Sequence, residues 1–486
     1  MPQNIKVGVL HAGGKGTRAY PKTEWVPKVM LEVEGKPILQ RNLEILRDKL
    51  NIRELIVVIG YKGGMVKKYF GDGSKFGVRI RYVNDTEMKG LAHATYLLRD
   101  YIKEPFIMIL GDEIYIGSNH EEINAELNKF KDFMAICGIN KTVNSELIKK
   151  NYSVEIKNSR IKRIIEKPKI VTNNFLGCGS YILTPKFFDF IYKTPKSQRT
   201  GRIELMEVID KIAREEDKVY PFFLKGDYIN INNVEDLNTA NYVIRDKNFD
   251  NYKISLIIPT KNEGESIGKV INDFRYCNRL KEIIVIDSSK DETAKIAKKI
   301  GGEIVRVERG NLKYGEALKH GMNIARGDIL ILVEADGTFR SKDTGKIIEY
   351  MKDADMVIGT RTTRQMIEQG SNMGWFLRWG NVFLGKLIEF LWWNQEPRFT
   401  DVGCTFRGIW KESYLKIRDN LQASGPEFSP EMMIETLKAR LRVIEIPVSY
   451  YKRFSGESKN SKGFKKIKTG LKMLDVILGK KFGWKK

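Results

Sequence analysis

Twice in this chain a short, largely apolar run ends in a polar loop and passes into a helix-like pattern. Residues 5–10 lead into a glycine-rich turn and then a helical stretch over 38–50; residues 254–258 lead into PTKNEGES and a helical stretch over 266–274. Continuous rather than alternating apolar strands are buried on both faces, and helices between them are the crossovers that parallel strands need. Similar runs lie at 55–59, 106–110 and 133–139, and again at 282–286 and 328–333. The chain therefore reads as α/β, with two tandem domains built on mostly parallel sheets. The polar stretch RDKNFDNY, 245–252, separates the two and puts the boundary near residue 248. The loops at the repeated position differ, HAGGKGTR against PTKNEGES, so the architecture repeats and the sequence does not.

Lys plus Arg number 84 against 61 Asp plus Glu, a net charge of +23. That excess calls for an anionic partner: nucleotides, phosphates, nucleic acid or an acidic membrane surface. No nucleic-acid motif accompanies the charge, so nucleic acid is not expected. The 42% apolar and 30% charged composition excludes a disordered or fibrous chain. Four scattered cysteines without a CxxC pair, and four histidines without HExxH, argue against a disulfide framework and a zinc site. The N-terminal residues run into a strand without a cleavable signal, and no uncharged apolar stretch reaches the roughly 18 residues of a spanning helix. A cytoplasmic protein, peripheral on the cytoplasmic face of the membrane, is the expectation.

The most specific segment is LHAGGKGTR, residues 10–18, followed by Pro21 and by Pro27-Lys28. Gly13, Gly14 and Gly16 let the backbone approach a ligand and turn N–H groups toward it, as oxyanions are held at a loop-to-helix junction. Arg18 and Lys28 add full charges suited to a triphosphate and a departing pyrophosphate. The loop is neither a GxxxxGK[ST] P-loop nor a GxGxxG fingerprint.

These residues resemble the sugar-phosphate nucleotidylyltransferases and their GGxGTR…P…PK signature, and the resemblance runs from Lys6 to about Tyr242. It implies nucleotide contacts from Leu10, Ala12, Gly13, Gly14, Gly16 and Thr17, and a base-contacting turn at Gly90. Asp112, in LGD, becomes a Mg²⁺ ligand. In Glu166-Lys167-Pro168, Glu166 would accept sugar hydroxyls and Lys167 would hold the phosphate, with Gly177 and Gly179 against the sugar. Asn230 stands where many members carry Asp as the second ligand. An amide oxygen coordinates more weakly than a carboxylate, so two outcomes stay open: a working metal site, or a weakened one in a regulatory domain. His93 is read as a packing residue. The implied reaction is attack of a sugar 1-phosphate oxygen on the α-phosphorus of a nucleoside triphosphate, with Arg18, Lys28 and Asp112 aligning and neutralising charge.

The second half presents an ordered set: IIPTKNE at 257–263, VIDSS at 285–289, YGEALKHG at 314–321 and EADG at 334–337. Glu334 and Asp336, spaced i and i+2 at a strand end, point the same way and can address one divalent cation on a diphosphate. This order resembles the family-2 glycosyltransferases, most closely the dolichyl-phosphate mannose synthase group. The implied architecture is a pair of nucleotide-diphospho-sugar (Rossmann-like, GT-A-type) domains. The resemblance makes Pro259, Glu263 and Asp287 the lining of a nucleotide pocket and Asp336 the metal carboxylate, with Mg²⁺ or Mn²⁺. Glu334 stands in place of the usual Asp, and Thr338 in place of a Gln ligand. Arg361 and Arg378 would meet the acceptor phosphate. Arg453 and Lys459, in RFSGESK, would close over the diphosphate. The acceptor is a polyprenyl phosphate, which needs no base, or a hydroxyl, with Asp401 as base; direct displacement inverts the anomeric centre in either case.

Residues 375–393 are apolar and aromatic but broken by Arg378, Lys386 and Glu389. They read either as a core helix or as an interfacial helix with lipid-facing Trp. From 452 onward twelve basic side chains face two acidic ones, so that tail is either solvated or an amphipathic helix on anionic lipid. The expected organisation is a nucleotidylyltransferase domain over 1–247, a glycosyltransferase domain over 252–455 and a basic amphipathic tail over 456–486. One half would make an NDP-sugar from a nucleoside triphosphate and a sugar 1-phosphate, and the other would use it.

Overall fold

A computed structural model describes residues 5–130, 132–277, 279–371, 373–454 and 463–484. The chain divides into two compact units, Met1–Ala240 and Asn241–Lys486. The dividing line falls inside a helix, Val234–Asn248, rather than in the polar stretch after it.

In the first unit the strands are β1 (Val7–Ala12), β2 (Glu54–Ile59), β3 (Arg79–Asn84), β4 (Phe106–Leu110), β5 (Glu113–Ile116), β6 (Ala135–Lys141), β7 (Tyr152–Lys157), β8 (Arg160–Glu166), β9 (Phe175–Leu183), β10 (Val219–Phe223) and β11 (Asp227–Asn230). Seven of them form one sheet in the order β10-β6-β9-β4-β1-β2-β3. β1 pairs in parallel with β2 and β4, while β9 runs antiparallel to both β4 and β6. Alternate residues feed two separate cores. Val9, Met108 and Cys137 pack on one face, and Leu10, Ile107 and Ile136 on the other. This is why the strands read as unbroken apolar runs. Three small ladders stand apart from the main sheet: β7 with β8, β5 with β11, and the two-residue pair Glu32–Val33 with Lys36–Pro37.

The second unit repeats the plan with β12 (Ile254–Thr260), β13 (Leu280–Asp287), β14 (Val305–Arg309), β15 (Ile329–Leu332), β16 (Met356–Thr360), β17 (Arg407–Trp410) and β18 (Val443–Pro447). Its sheet order is β14-β13-β12-β15-β17-β16-β18. Numbered by position within each sheet, both units follow 3-2-1-4-6-5-7, with the sixth strand antiparallel to its neighbours. In both, the carboxyl ends of the first and fourth strands lead into the segments that the sequence marks as functional.

Three helices of the second unit bear on its site: α1 (Trp375–Leu391), α2 (Phe428–Lys438) and α3 (Gly463–Phe482). Only Leu384, Gly385 and Ile388 of α1 are buried, while Trp375, Phe376, Trp379, Phe383 and Phe390 are exposed, so α1 is not a core helix. The described part of the tail, from Gly463 on, is helical and belongs to the second unit. α3 packs on α1 and α2, and Met473, Val476 and Ile477 are buried. The Lys480 ammonium is buried, 3.1 Å from the Glu431 carboxylate and 3.0 Å from that of Glu435, and donates to the Asn420 carbonyl at 2.6 Å. Among the described residues no helix is long and apolar enough to cross a membrane.

Removing Lys480 leaves buried Glu431 with the Gln422 and Ala423 N–H groups and Glu435 with the Lys438 ammonium, so a buried charge loses its cation at a cost of about 3–5 kcal/mol. Lys480→Met should therefore shift urea unfolding strongly, whereas Lys468→Met, at an exposed position of the same helix, should change stability by less than about 0.5 kcal/mol.

Candidate functional site

In the first unit β4 ends at Leu110 and the chain turns at Gly111, whose N–H donates to the His11 carbonyl at 3.0 Å. A Cβ there would collide with that oxygen, so only glycine lets β4 deliver the next residue, Asp112, beside the loop after β1. Lys28, itself 8% exposed, forms an ion pair with the Asp112 carboxylate. The Asp112 carbonyl accepts the Ile231 N–H at 3.0 Å, and β11 pairs with β5 so that Asn230 lies opposite Glu113. These bonds bring Asp112 and Asn230 to one cavity of ≈ 320 Å³, lined also by Arg18, Glu166, Lys167 and Gly179. Arg18 Nη2 donates to Asn232 Oδ1 at 2.7 Å.

Asn230 supplies the test of the metal reading. Its Nδ2 donates to Asn151 Oδ1 at 2.8 Å, which fixes the amide, and its Oδ1 is buried with no hydrogen-bond partner among the described residues. A buried carbonyl oxygen without a donor is costly unless a ligand satisfies it. With the Asp112 carboxylate it makes a set of hard oxygen donors that fits Mg²⁺.

The other predicted residues fall into place unevenly. Leu10 and Ala12 are fully buried core residues, so the exposed part of the loop is Gly13 to Thr17. Gly90 caps the short helix Leu91–Tyr96 at φ 110°. The Glu166 carboxyl is raised by burial and then by Glu204, and Arg199 donates to it at 2.6 Å. Gly177 and Gly179 were expected against the sugar. A Cβ on Gly177 would collide with the Tyr152 ring, and one on Gly179 with the Glu113 carboxylate, so both are glycine for neighbouring side chains. The Gly179 N–H is also committed, donating to Glu113 at 2.7 Å. His93 sits against Tyr192 and Glu87.

Glu113 was not foreseen. It is 2% exposed and accepts from Tyr115 Oη at 2.6 Å and Tyr228 Oη at 2.7 Å, besides Gly179. It thereby ties the strand carrying Asn230 to the wall carrying Gly179. A lone Glu after LGD gives no sequence signal; only the later Tyr228 and Gly179 reveal its role. Lys150, Asn151 and Glu204 also line the cavity without having been marked by any motif.

In the second unit one cavity of ≈ 840 Å³ gathers Pro259, Glu263, Glu334, Asp336, Arg361 and Arg453. Asp336 Oδ1 accepts the N–H and hydroxyl of Thr338 at 3.0 and 2.6 Å. Thr338, expected only as a missing ligand, instead orients the carboxylate. Asp336 Oδ2 lies 3.1 Å from Arg453 Nη1, and Arg453 Nη2 donates to Glu263 at 3.0 Å. Glu334 is pushed up to about 7 by burial and by Asp336. Asp287 is buried at the end of β13. Thr260 donates to its Oδ1 at 2.8 Å, and its Oδ2 has no hydrogen-bond partner among the described residues, with Arg309 Nε 3.6 Å away.

Two expectations need correction. Asp401 is not placed as a base. It is fully buried, and its two oxygens accept Arg361 N–H, Nε and Nη2 at 2.8–2.9 Å and the Gly403 N–H at 3.1 Å. Four donors fill the carboxylate, whose work is to aim Arg361 into the cavity. Arg378 does not reach that lining; its guanidinium lies over the Trp379 ring. Lys459 lies outside the described residues.

A nucleotidyl transferase family model matches residues 7–247, and a glycosyl transferase family 2 model matches 255–414. The chain is 33% identical over 232 residues to UTP–glucose-1-phosphate uridylyltransferase AglF of Haloferax volcanii, covering 48% of this chain and 93% of the relative. It is 30% identical over 241 residues to the low-salt glycan biosynthesis nucleotidyltransferase Agl11 of the same organism, 49% of this chain and 65% of that one. Similarity to the bifunctional protein GlmU of Methanococcus maripaludis, 28% over 235 residues, covers 48% of this chain and spans about half of the relative, 53%. A solved UDP-glucose pyrophosphorylase in complex with UDP-glucose superposes at TM-score 0.44 with 25% identity, over 50% of this chain and 99% of that one.

Burial, then the Asp112 charge, pushes Glu113 up to about 7 from 4.5. The folded chain keeps a proton there that the unfolded chain has released, so this contribution to stability is full below 4.5 and is lost as pH rises through about 7. Urea midpoints in chelator should fall between about pH 5 and 8, by up to about 3 kcal/mol from this residue, and Glu113→Gln should flatten that share of the decline.

Proposed function

We propose, from the premise that the chain belongs to the nucleotidyl transferase family through residues 7–247 and carries a family-2 glycosyl transferase domain over 255–414, one bifunctional enzyme, whose first unit makes an NDP-sugar and whose second transfers the sugar to a polyprenyl phosphate. In the first unit the sugar 1-phosphate oxygen attacks the α-phosphorus, the bond to the β-phosphate oxygen breaks and pyrophosphate leaves. Arg18 and Lys28 neutralise the phosphates, and Glu166 and Lys167 hold the sugar and its phosphate. Asp112 and Asn230 would hold Mg²⁺, which supplies charge stabilisation at the transferring phosphoryl group. The open Asn230 oxygen supports catalysis over the regulatory alternative. The relatives' names make UTP with glucose 1-phosphate the first pair to try.

In the second unit the observation that carries the reading is a single cavity joining two kinds of wall. Glu334, Asp336, Arg361 and Arg453 form one end, and apolar side chains of α1 and α3 the other. A phosphate on an apolar chain matches both. Its anionic oxygen attacks the anomeric carbon without a base, the bond to the diphosphate breaks with inversion, and Arg453 meets the leaving charge. Asp336, with Glu334, would hold the divalent cation. A hydroxyl acceptor would need a base, and with Asp401 committed the carboxyl facing the cavity with a pKa near 7 is Glu334. The exposed aromatics of α1 beside basic side chains support a peripheral site on the cytoplasmic face of the membrane.

Purified protein with Mg²⁺ should release pyrophosphate from UTP and glucose 1-phosphate, or from another pair in a grid of nucleoside triphosphates and sugar 1-phosphates. Asp112→Asn should lower kcat at least about a hundredfold, while Asn230→Asp should stay active. Silence of the parent with gain of activity in Asn230→Asp would support a regulatory first unit. Glu334→Gln should weaken the cation site for either acceptor. At saturating cation it should lower transfer to a hydroxyl acceptor by a further large factor that transfer to a polyprenyl phosphate does not show, read by product formation with each.

A further inference from the structure

An amide ligand has a difficulty that a carboxylate does not: one of its two ends is the wrong one. Asn230 can turn Oδ1 toward a cation, which suits it, or Nδ2, which does not. Its backbone is fixed, because β11 pairs with β5 so that Asn230 lies opposite Glu113. What remains to be set is the turn of the terminal amide. The two ends have nearly the same shape, so packing cannot choose between them, and hydrogen bonding must.

Asn151 makes that choice. It follows the short helix Ser145–Lys150 and precedes Tyr152, the first residue of β7, which pairs with Glu166. Asn151 Nδ2 donates to the Leu147 carbonyl at 2.9 Å. A carbonyl only accepts, so Asn151 presents its NH₂ on that side and its Oδ1 on the other. Oδ1 also only accepts, and it takes the hydrogen bond from Asn230 Nδ2 at 2.8 Å. With Nδ2 spent in this way, the Asn230 oxygen, which has no hydrogen-bond partner among the described residues, is the end left for a cation held with Asp112. The main chain of Asn151 is engaged as well. Its N–H donates to the Ile148 carbonyl at 3.1 Å, and its carbonyl accepts the Lys167 N–H at 2.7 Å. Lys167 has φ 47°, a conformation that a residue other than glycine keeps only when its surroundings hold it.

We propose that Asn151 is a positioning residue for nucleotidyl transfer, passing the direction of a backbone carbonyl through two amides so that Asn230 offers its oxygen to the cation. This rests on the reading of the first unit as a metal-dependent nucleotidylyltransferase. It carries a pairing rule: an amide at position 230 requires an acceptor at 151, whereas a carboxylate at 230 requires none, since its two oxygens are equivalent.

The test uses the full chain, with Asn151→Ala made alone and in the Asn230→Asp background, and thermal melts to confirm folding. Asn151→Leu, of similar volume, gives the same reading if the alanine variant folds poorly. Pyrophosphate release from UTP and glucose 1-phosphate, or from another productive pair, is followed against Mg²⁺. Mn²⁺ binding is followed by the electron paramagnetic resonance of the free ion, with Asp112→Asn giving the level due to other sites. Asn151→Ala should raise half-saturation by Mg²⁺, and weaken Mn²⁺ binding at the first unit, by about tenfold or more. Half-saturation by the sugar 1-phosphate should hardly move, because the carbonyl that holds Lys167 remains. In the Asn230→Asp background the same substitution should cost less than about threefold. Asn151→Asp keeps the acceptor and should not raise half-saturation by Mg²⁺ above the parent's. An equal loss in both backgrounds, or a loss in Asn151→Asp as large as in Asn151→Ala, would overturn the positioning role and leave the nucleotidylyltransferase reading standing. A folded parent that releases no pyrophosphate and binds no more Mn²⁺ than Asp112→Asn would overturn both.

Discussion

A carboxylate delivered by a buried strand and held by a cation from a distant part of the chain organises each unit. Asp112 follows β4 and is held by Lys28; Asp336 follows β15 and is held by Arg453. The strands are buried on both faces, so their charged groups can emerge only at the ends, and the carboxyl ends of the first and fourth strands lie side by side. Each aspartate is therefore placed beside the loop after the first strand of its sheet. Without a counter-charge it would stand partly desolvated next to a second acid, Glu113 in one unit and Glu334 in the other. Burial has already driven both of these up to about 7. The cation clamp balances the charge that the aspartate brings into such company.

The strand order 3-2-1-4-6-5-7 in both sheets follows from the same constraint. Unbroken apolar runs announce doubly covered strands, and this much was legible directly from residues such as Val9, Leu10, Ile257 and Ile258. The strand-end residues were legible too, because polar groups after an apolar run have little choice of position. Partners fixed by tertiary packing were not. Glu113 stands in an ordinary-looking position, and its meaning depends on Tyr228 and Gly179, far away in sequence. Gly179 lines the cavity, as expected, but its being glycine is set by that carboxylate, which a Cβ would strike.

The same difference explains the misread role of Asp401 and the unforeseen place of Lys480 in the second unit. Asp401 lies in a segment whose resemblance suggested a role at the acceptor, but the number of donors on a carboxylate is a property of the fold. Three donors from Arg361 and one from Gly403 appear only when β16 and the loop before β17 are adjacent. The basic tail shows the limit of charge arithmetic. Its excess positive charge says nothing of where an individual lysine goes. Lys480 is drawn inward because α2 buries two glutamates at the spacing of one helical turn, Glu431 and Glu435, which need a cation.

These commitments narrow the chemistry available. In both units the aspartate at the strand end is already engaged by a basic side chain, and Asp401 is saturated. With these carboxylates committed, such sites are well suited to nucleophiles that arrive without a proton. Phosphate oxygens are nucleophiles of that kind, and cations beside the carboxylates are what a phosphate requires for alignment. On the proposed function, the first unit activates a sugar through its phosphate and the second passes it to another phosphate. One architecture, duplicated, then serves both steps for a physical reason: each asks the strand ends for charge balance and position rather than for acid–base catalysis. The divergence between the units lies in what surrounds that shared edge. The first has a polar wall with residues of β8 and β9, and the second an apolar wall with residues of α1 and α3, which on the proposed function take a sugar phosphate and a hydrocarbon chain.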